Sequence, residues 1–184
     1  MLKWLLIFLI FFESLTLINC AKRGILTGGL KDTIPPVLIS ANPPINNLNF
    51  NSEKITLNFN EYIELKDINE QLIISPPLER KDYKIIPENT VTKKVEIEIN
   101  NQLRKNSTFT FNFGSSIVDY NEGNALPFFN YTFSTGDYLD SLKISGFVKD
   151  AYEIDSLNFV SIHLYPIDSV FNDSTIYNQK PFYV

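Results

Sequence analysis

Of 184 residues, one is cysteine, one histidine, one methionine and one tryptophan. A single cysteine excludes an internal disulfide, a CxxC redox pair and every multi-cysteine zinc site. A single histidine, His163, excludes the HExxH arrangement and any metal held by two imidazoles. Alanine occurs four times against 22 isoleucines and 15 phenylalanines, a balance that disfavours helices and suits half-buried, pleated strands. Positive charge is also in short supply. Sixteen Lys and Arg face 21 Asp and Glu, a net charge of -5, so a partner held by phosphate neutralisation, nucleic acid above all, is not expected. The length allows one ordinary domain or one and a half small ones. No residue pattern calls for a cofactor.

The chain opens with a short basic start, Met1-Leu2-Lys3, and the apolar run Trp4 to Phe12. That run is too short for a bilayer span, which needs about 20 apolar residues, and has the length of a signal-peptide core. Glu13 ends it, and Leu17-Ile18-Asn19-Cys20 comes next. A leucine three residues before a cysteine that closely follows such a core resembles the lipobox of bacterial lipoproteins, with Asn19 standing where that family has Gly, Ala or Ser. The resemblance implies a signal peptide over residues 1–19 and lipidation of Cys20. Two or more acyl chains would hold the mature chain stably at a membrane, each buried CH₂ contributing about 0.8 kcal/mol. Residues 20–31 carry glycines and basic residues without strand periodicity and are expected to be a flexible tether. Lys22 and Arg23 stand where surface-displayed lipoproteins of Bacteroidetes have acidic residues, which leans toward an outer-membrane protein facing the periplasm.

From Asp32 the chain becomes a series of short alternating segments. Ile55, Leu57 and Phe59 alternate with polar residues, as do Val95, Ile97 and Ile99, then Phe109, Phe111 and Phe113, then Phe129, Tyr131 and Phe133. Period two marks a strand with one buried face. Residues 37–40, 71–75 and 83–86 are further strand candidates, and Glu64 to Gln71 is expected to hold a helical turn. Pro, Gly and Asn clusters at 42–44, 75–77, 87–89 and 121–124 separate these segments. Seven short strands joined by such turns predict an all-β fold, an antiparallel β-sandwich.

The order of the pieces resembles Ig-like domains of the bacterial SbsA type. Asp32-Thr33-Ile34-Pro35-Pro36-Val37 with Asn42-Pro43 after it matches that family's opening, and Ile55 to Glu61 (ITLNFNE) its "I-x-I-x-F-x-E" strand. Leu103 with Asn106 to Phe111 matches its turn into a strand. Asp119 to Leu126 (DYNEGNAL) and then Thr132-Phe133-Ser134-Thr135 match its close. The resemblance covers residues 32–136, and the whole looks like the start of a Bacteroidetes lipoprotein. Leu142 to Val148, with Asp150-Ala151, resembles the opening of carboxypeptidase-regulatory-like sandwiches. Residues 142–184 are therefore expected to begin a second β-domain, with a strand carrying Val160, Ile162 and Leu164. They are too few to complete it, so the chain is expected to be a fragment.

Candidate chemistry is sparse. His163 is expected on the solvent face of its strand. Asp119, Asn121 and Asn124 supply oxygens at nearly the density of a calcium loop, but position twelve of that loop would be Asn130, and a turn with residues at positive φ accounts for the same residues. Glu61 with Glu64 and Asp67 is the only carboxylate group that could do acid–base work, and a strand end with a solvated face explains it as well. The Phe and Tyr stripes are expected in the core. Five of ten Asp precede Ser or Thr: Asp32-Thr33, Asp140-Ser141, Asp155-Ser156, Asp168-Ser169 and Asp173-Ser174. The tripeptides they open resemble the O-glycosylation acceptor of Bacteroidetes envelope proteins, which implies Thr33, Ser141, Ser156, Ser169 and Ser174 as acceptors. Side-chain–backbone turns explain them equally. The expected role is non-catalytic: a spacer or interaction module at a membrane, with a protein or glycan partner. The competing readings are a calcium-stabilised adhesin, a glycan-binding module and an accessory subunit of an envelope enzyme.

Overall fold

The structure, a computed structural model, describes residues 3–4, 29–88, 90–142, 144–149, 160–167 and 171–184. Cys20, the leader apart from residues 3–4, most of the tether, and the acceptor candidates Ser156 and Ser169 lie outside the described residues. The chain divides into two units, residues 1–31 and residues 32–184. All the strands among the described residues belong to the second.

Eight strands form among the described residues: β1 (Leu38–Asn42), β2 (Lys54–Leu65), β3 (Ile73–Ser75), β4 (Tyr83–Ile86), β5 (Thr92–Ile99), β6 (Thr108–Asn112), β7 (Ile117–Asp119) and β8 (Asn130–Ser134). All pair antiparallel, in two sheets. One runs β1-β2-β5-β4 with β7 added to β2, and the other runs β3-β6-β8. The seven expected strand segments all carry strands. β7 is an addition to them, because Ile117-Val118-Asp119 is buried on both faces and shows no alternation. The expected helical turn occupies Ile68–Gln71.

The alternation explains the core. Ile55, Leu57, Phe59 and Ile63 of β2 and Val95 and Ile97 of β5 point inward to meet Phe109 and Phe111 of β6 and Tyr131 and Phe133 of β8 in one cluster. Phe133 lies at its centre, 4.0 Å from Phe50, 5.6 Å from Phe109 and 6.0 Å from Tyr131 between ring centroids. Each buried Phe contributes about 1.5–3 kcal/mol. The Tyr131 hydroxyl donates to the Pro43 carbonyl at 2.9 Å, and its burial pushes its pKa up to about 12. On the outer face Lys54 pairs with Glu96 and Glu98, and Lys94 with Glu96; Lys94 first and Lys54 second hold the Glu96 carboxyl below its ordinary range.

β1 and β8 run in the same direction. β1 starts opposite Phe59, at the middle of β2, and runs back toward the end where β2 begins. β8 leaves its sheet at that same end, where the Asn49 N–H donates to the Gly136 carbonyl at 2.7 Å. The chain thus enters in one half of the sandwich and leaves at the far end of the other.

The described residues of 142–184 hold one helical turn (Thr175–Asn178) and one isolated bridge, Leu164 to Tyr183. The strand expected at Val160–Leu164 is not formed, and Val160, Ile162 and Leu164 are exposed together rather than buried on one face. The stretch touches the sandwich through the Phe182 ring, which lies under the Arg104 guanidinium at 4.3 Å, and through polar groups. Lys180 pairs with Glu79 at 2.9 Å, the Tyr183 hydroxyl donates to Asp140 at 3.0 Å, and the Val184 N–H donates to Ser75 Oγ at 3.1 Å.

Candidate functional site

Three of the residues singled out in the sequence, Asp119, Asn121 and Asn124, gather at one turn, between β7 and β8. Asp119 is buried at the end of β7. Its Oδ1 accepts from the N–H groups of Asn121 (2.7 Å) and Glu122 (3.0 Å), and its Oδ2 from that of Asn124 (3.1 Å). Hydrogen bonds to the charged form favour it, and the backbone bond from Glu122 is the main reason that the Asp119 carboxyl titrates below its ordinary value. Glu122 shifts the other way, raised chiefly by burial and then by the nearby Asp119 charge. Gly123 closes the turn at φ +79°, where a side chain would be strained.

The same turn fastens the opening of the domain. Asn124 Nδ2 donates to the carbonyls of Asp32 (3.1 Å) and Ile34 (3.4 Å). The first and last pieces of the sequence pattern, 92 residues apart, are thus joined by one side chain. A second tie lies at the other end, where Thr135 Oγ1 donates to the Arg104 carbonyl at 2.7 Å and accepts from the Ser107 N–H at 3.1 Å. These contacts give Asp119, Gly123, Asn124 and Thr135 structural work. Both oxygens of Asp119 are engaged by the backbone and the Asn124 amide nitrogen by the opening segment. Among the described residues no group of three or more His, Cys, Asp or Glu could hold a metal ion.

The acid–base candidates do not converge. Glu61 acts on the charge of Glu122 at the Asp119 turn, Glu64 lies 3.9 Å from Lys66, and Asp67 is exposed at the start of the helical turn. His163 is exposed, its Nε2 3.0 Å from Ser161 Oγ. Of the acceptor candidates, Thr33, Ser141 and Ser174 are exposed. Asp32 Oδ1 accepts from the Ile34 N–H at 2.9 Å, the local side-chain–backbone turn bond that Asp favours. The clefts are open. One of them, about 530 Å³, is lined by Phe50, Glu53, Asn100, Leu103, Asn106 and Thr135 among others. Among the described residues no helix is long and apolar enough to cross a membrane.

Not all aromatics are inward, as the stripes alone would suggest. Tyr62, Tyr120 and Phe128 are exposed. For Tyr62 the signal is its register, out of step with Phe59 and Ile63; Tyr120 and Phe128 lie in loops where periodicity gives none.

No curated protein matches the chain. Residues 32–135 match the family model of the bacterial Ig-like domain, over the same span that the two ties close. That is more than half of the 184 residues, and the chain belongs to the bacterial Ig-like domain family.

Proposed function

We propose that this protein is a non-catalytic cell-envelope lipoprotein, tethered to a membrane through Cys20, in which the Ig-like sandwich acts as a spacer and interaction module. The observation that carries the spacer reading is the shared direction of β1 and β8. A domain entered in one half and left at the opposite end adds its length to the chain beyond it; the 12-residue β2 alone spans about 40 Å at about 3.3 Å per residue. The turn at Asp119 and the tie at Thr135 brace the two points where tension would be applied. The tether rests on Leu17, Cys20 and the apolar core before them, and Lys22 and Arg23 favour an outer-membrane site facing the periplasm. Exposed edges and loops are then the surfaces for a protein or glycan partner. O-glycans on Thr33 and Ser141 would flank the sandwich.

The test is fractionation of cells expressing the wild type and Cys20→Ala. The wild type stays with membranes through a high-salt wash, and the variant moves to the soluble or precursor pool. Equal membrane retention of both would remove the lipid tether.

A further inference from the structure

The outer face of the larger sheet changes character along its length. Where β2 begins it is a ladder of ion pairs among Lys54, Lys94, Glu96 and Glu98. Toward the other end it carries Tyr62 and Tyr120, 55% and 57% exposed. They sit on adjoining segments, tied where the Tyr120 N–H donates to the Tyr62 carbonyl at 3.0 Å. β5 and β7 both pair with β2 at Ile63 and therefore flank it. From the β5 side Lys93 brings its ammonium to 5.1 Å from the centroid of the Tyr62 ring and donates to the Asn60 carbonyl at 3.1 Å. Tyr120 occupies the β7 side.

We infer that this Tyr62–Tyr120 platform, with the Lys93 ammonium over the Tyr62 ring, is a carbohydrate-binding site. A pyranose has an apolar face of C–H groups and a rim of hydroxyls. It needs aromatic surface for the first and charged or polar groups for the second. The platform offers two phenol rings, two hydroxyls, the Lys93 ammonium and the Glu64 carboxylate two residues along from Tyr62. Size selects among partners. An aromatic side chain presents about 150–250 Å², so two rings a little over half exposed offer about 200 Å². A stable protein partner, a second copy of this chain included, needs about 800 Å² on each side, whereas one or two sugar rings need no more than the platform has. A polar sheet surrounds the rings, which again suits a small hydroxylated ligand. The inference goes beyond the tethered-spacer reading and holds whether or not Cys20 is lipidated.

The alternative role for the pair is cross-strand packing that merely stabilises the sheet, and the test separates the two. The full chain is titrated calorimetrically with chitotetraose, cellohexaose and mannohexaose. At least one binds, and Tyr62→Ala with Tyr120→Ala weakens it by about tenfold or more, about 1.4 kcal/mol. Tyr62→Trp with Tyr120→Trp keeps or tightens it, because stacking survives the change. Lys93→Ala weakens it less. If the double alanine variant fails to fold, ring-proton shifts of Tyr62 and Tyr120 in the unaltered chain on adding the same sugars decide the matter. Absence of binding by all three sugars at millimolar concentration overturns the inference. So does binding that survives the double alanine change, or a dimer in sedimentation that the change abolishes.

Discussion

Residues 55–59 and 160–164 read alike: ITLNF and VSIHL both alternate apolar with polar. In the sandwich Ile55, Leu57 and Phe59 are buried at 0–2% exposure, while Val160, Ile162 and Leu164 are 43–66% exposed. Local preference does not separate them. Neighbours do. The first segment has β1 on one side, β5 on the other and the Phe109–Phe133 face across from it. The second has only an isolated bridge, from Leu164 to Tyr183, among the described residues. Alternation is a necessary condition for a strand of this kind, but a second apolar face is what turns it into one, because burial of that stripe is the main favourable term.

The contrast between the two regions is tested most sharply at a phenylalanine on each side. Phe133→Ala removes the ring that touches four other core aromatics and is expected to cost about 3–5 kcal/mol. Phe147→Ala, at a ring 98% exposed, is expected to change stability by less than about 0.5 kcal/mol. Urea unfolding of both variants measures this, and comparable losses would mean that the later stretch has a core of its own.

The next largest effect is alkaline. With Tyr131 folded near pKa 12 against an ordinary value of 10.0, the unfolded chain loses this proton first as pH rises. Stability is full below pH 10 and falls between about 10 and 12, by on the order of 2 kcal/mol. Tyr131→Phe should flatten that fall in a pH series of melting curves, leaving what other tyrosines contribute.

Acid acts on the closing turn. Asp119 is depressed below 3.8 in the folded chain, so its contribution is full above that value and drains away as pH falls through the lower folded one. Asp119→Asn is expected to lower the melting temperature at neutral pH and to narrow its gap from wild type toward pH 2. Millimolar calcium is expected to leave the wild-type melting temperature unchanged, since the Asp119 oxygens are already engaged; a rise would reinstate a calcium-stabilised module. Smallest of all is Lys180→Ala. Its pair with Glu79, whose carboxyl is lowered to about 2 by Lys81 and Lys180, lies in solvent, and exposed pairs contribute little. The unfolding midpoint should hardly move.

Much of the sandwich is legible in the sequence because its strands are half buried. Ile55–Phe59, Val95–Ile99, Phe109–Phe113 and Phe129–Phe133 all show their inward residues as alternation. β7 is not legible, because a strand buried on both faces has no period two. The motif around Asp119 singles that residue out, but its work is visible only in three dimensions, where its carboxylate collects three backbone N–H groups and Asn124 reaches back across 92 residues to Asp32. The meeting of Tyr62 with Tyr120 is hidden for another reason: nothing in sequence places a loop residue beside a strand residue 58 positions earlier.

The measurement that tests the tethered spacer most directly is the intact mass of the protein extracted from membranes. The expected species is a chain that begins at Cys20, having lost residues 1–19, with added mass equal to its acyl groups; sugar-sized increments would report on Thr33 and Ser141 in the same spectrum. An unmodified Cys20, in a chain that retains its leader or has been cut elsewhere, would contradict the tether.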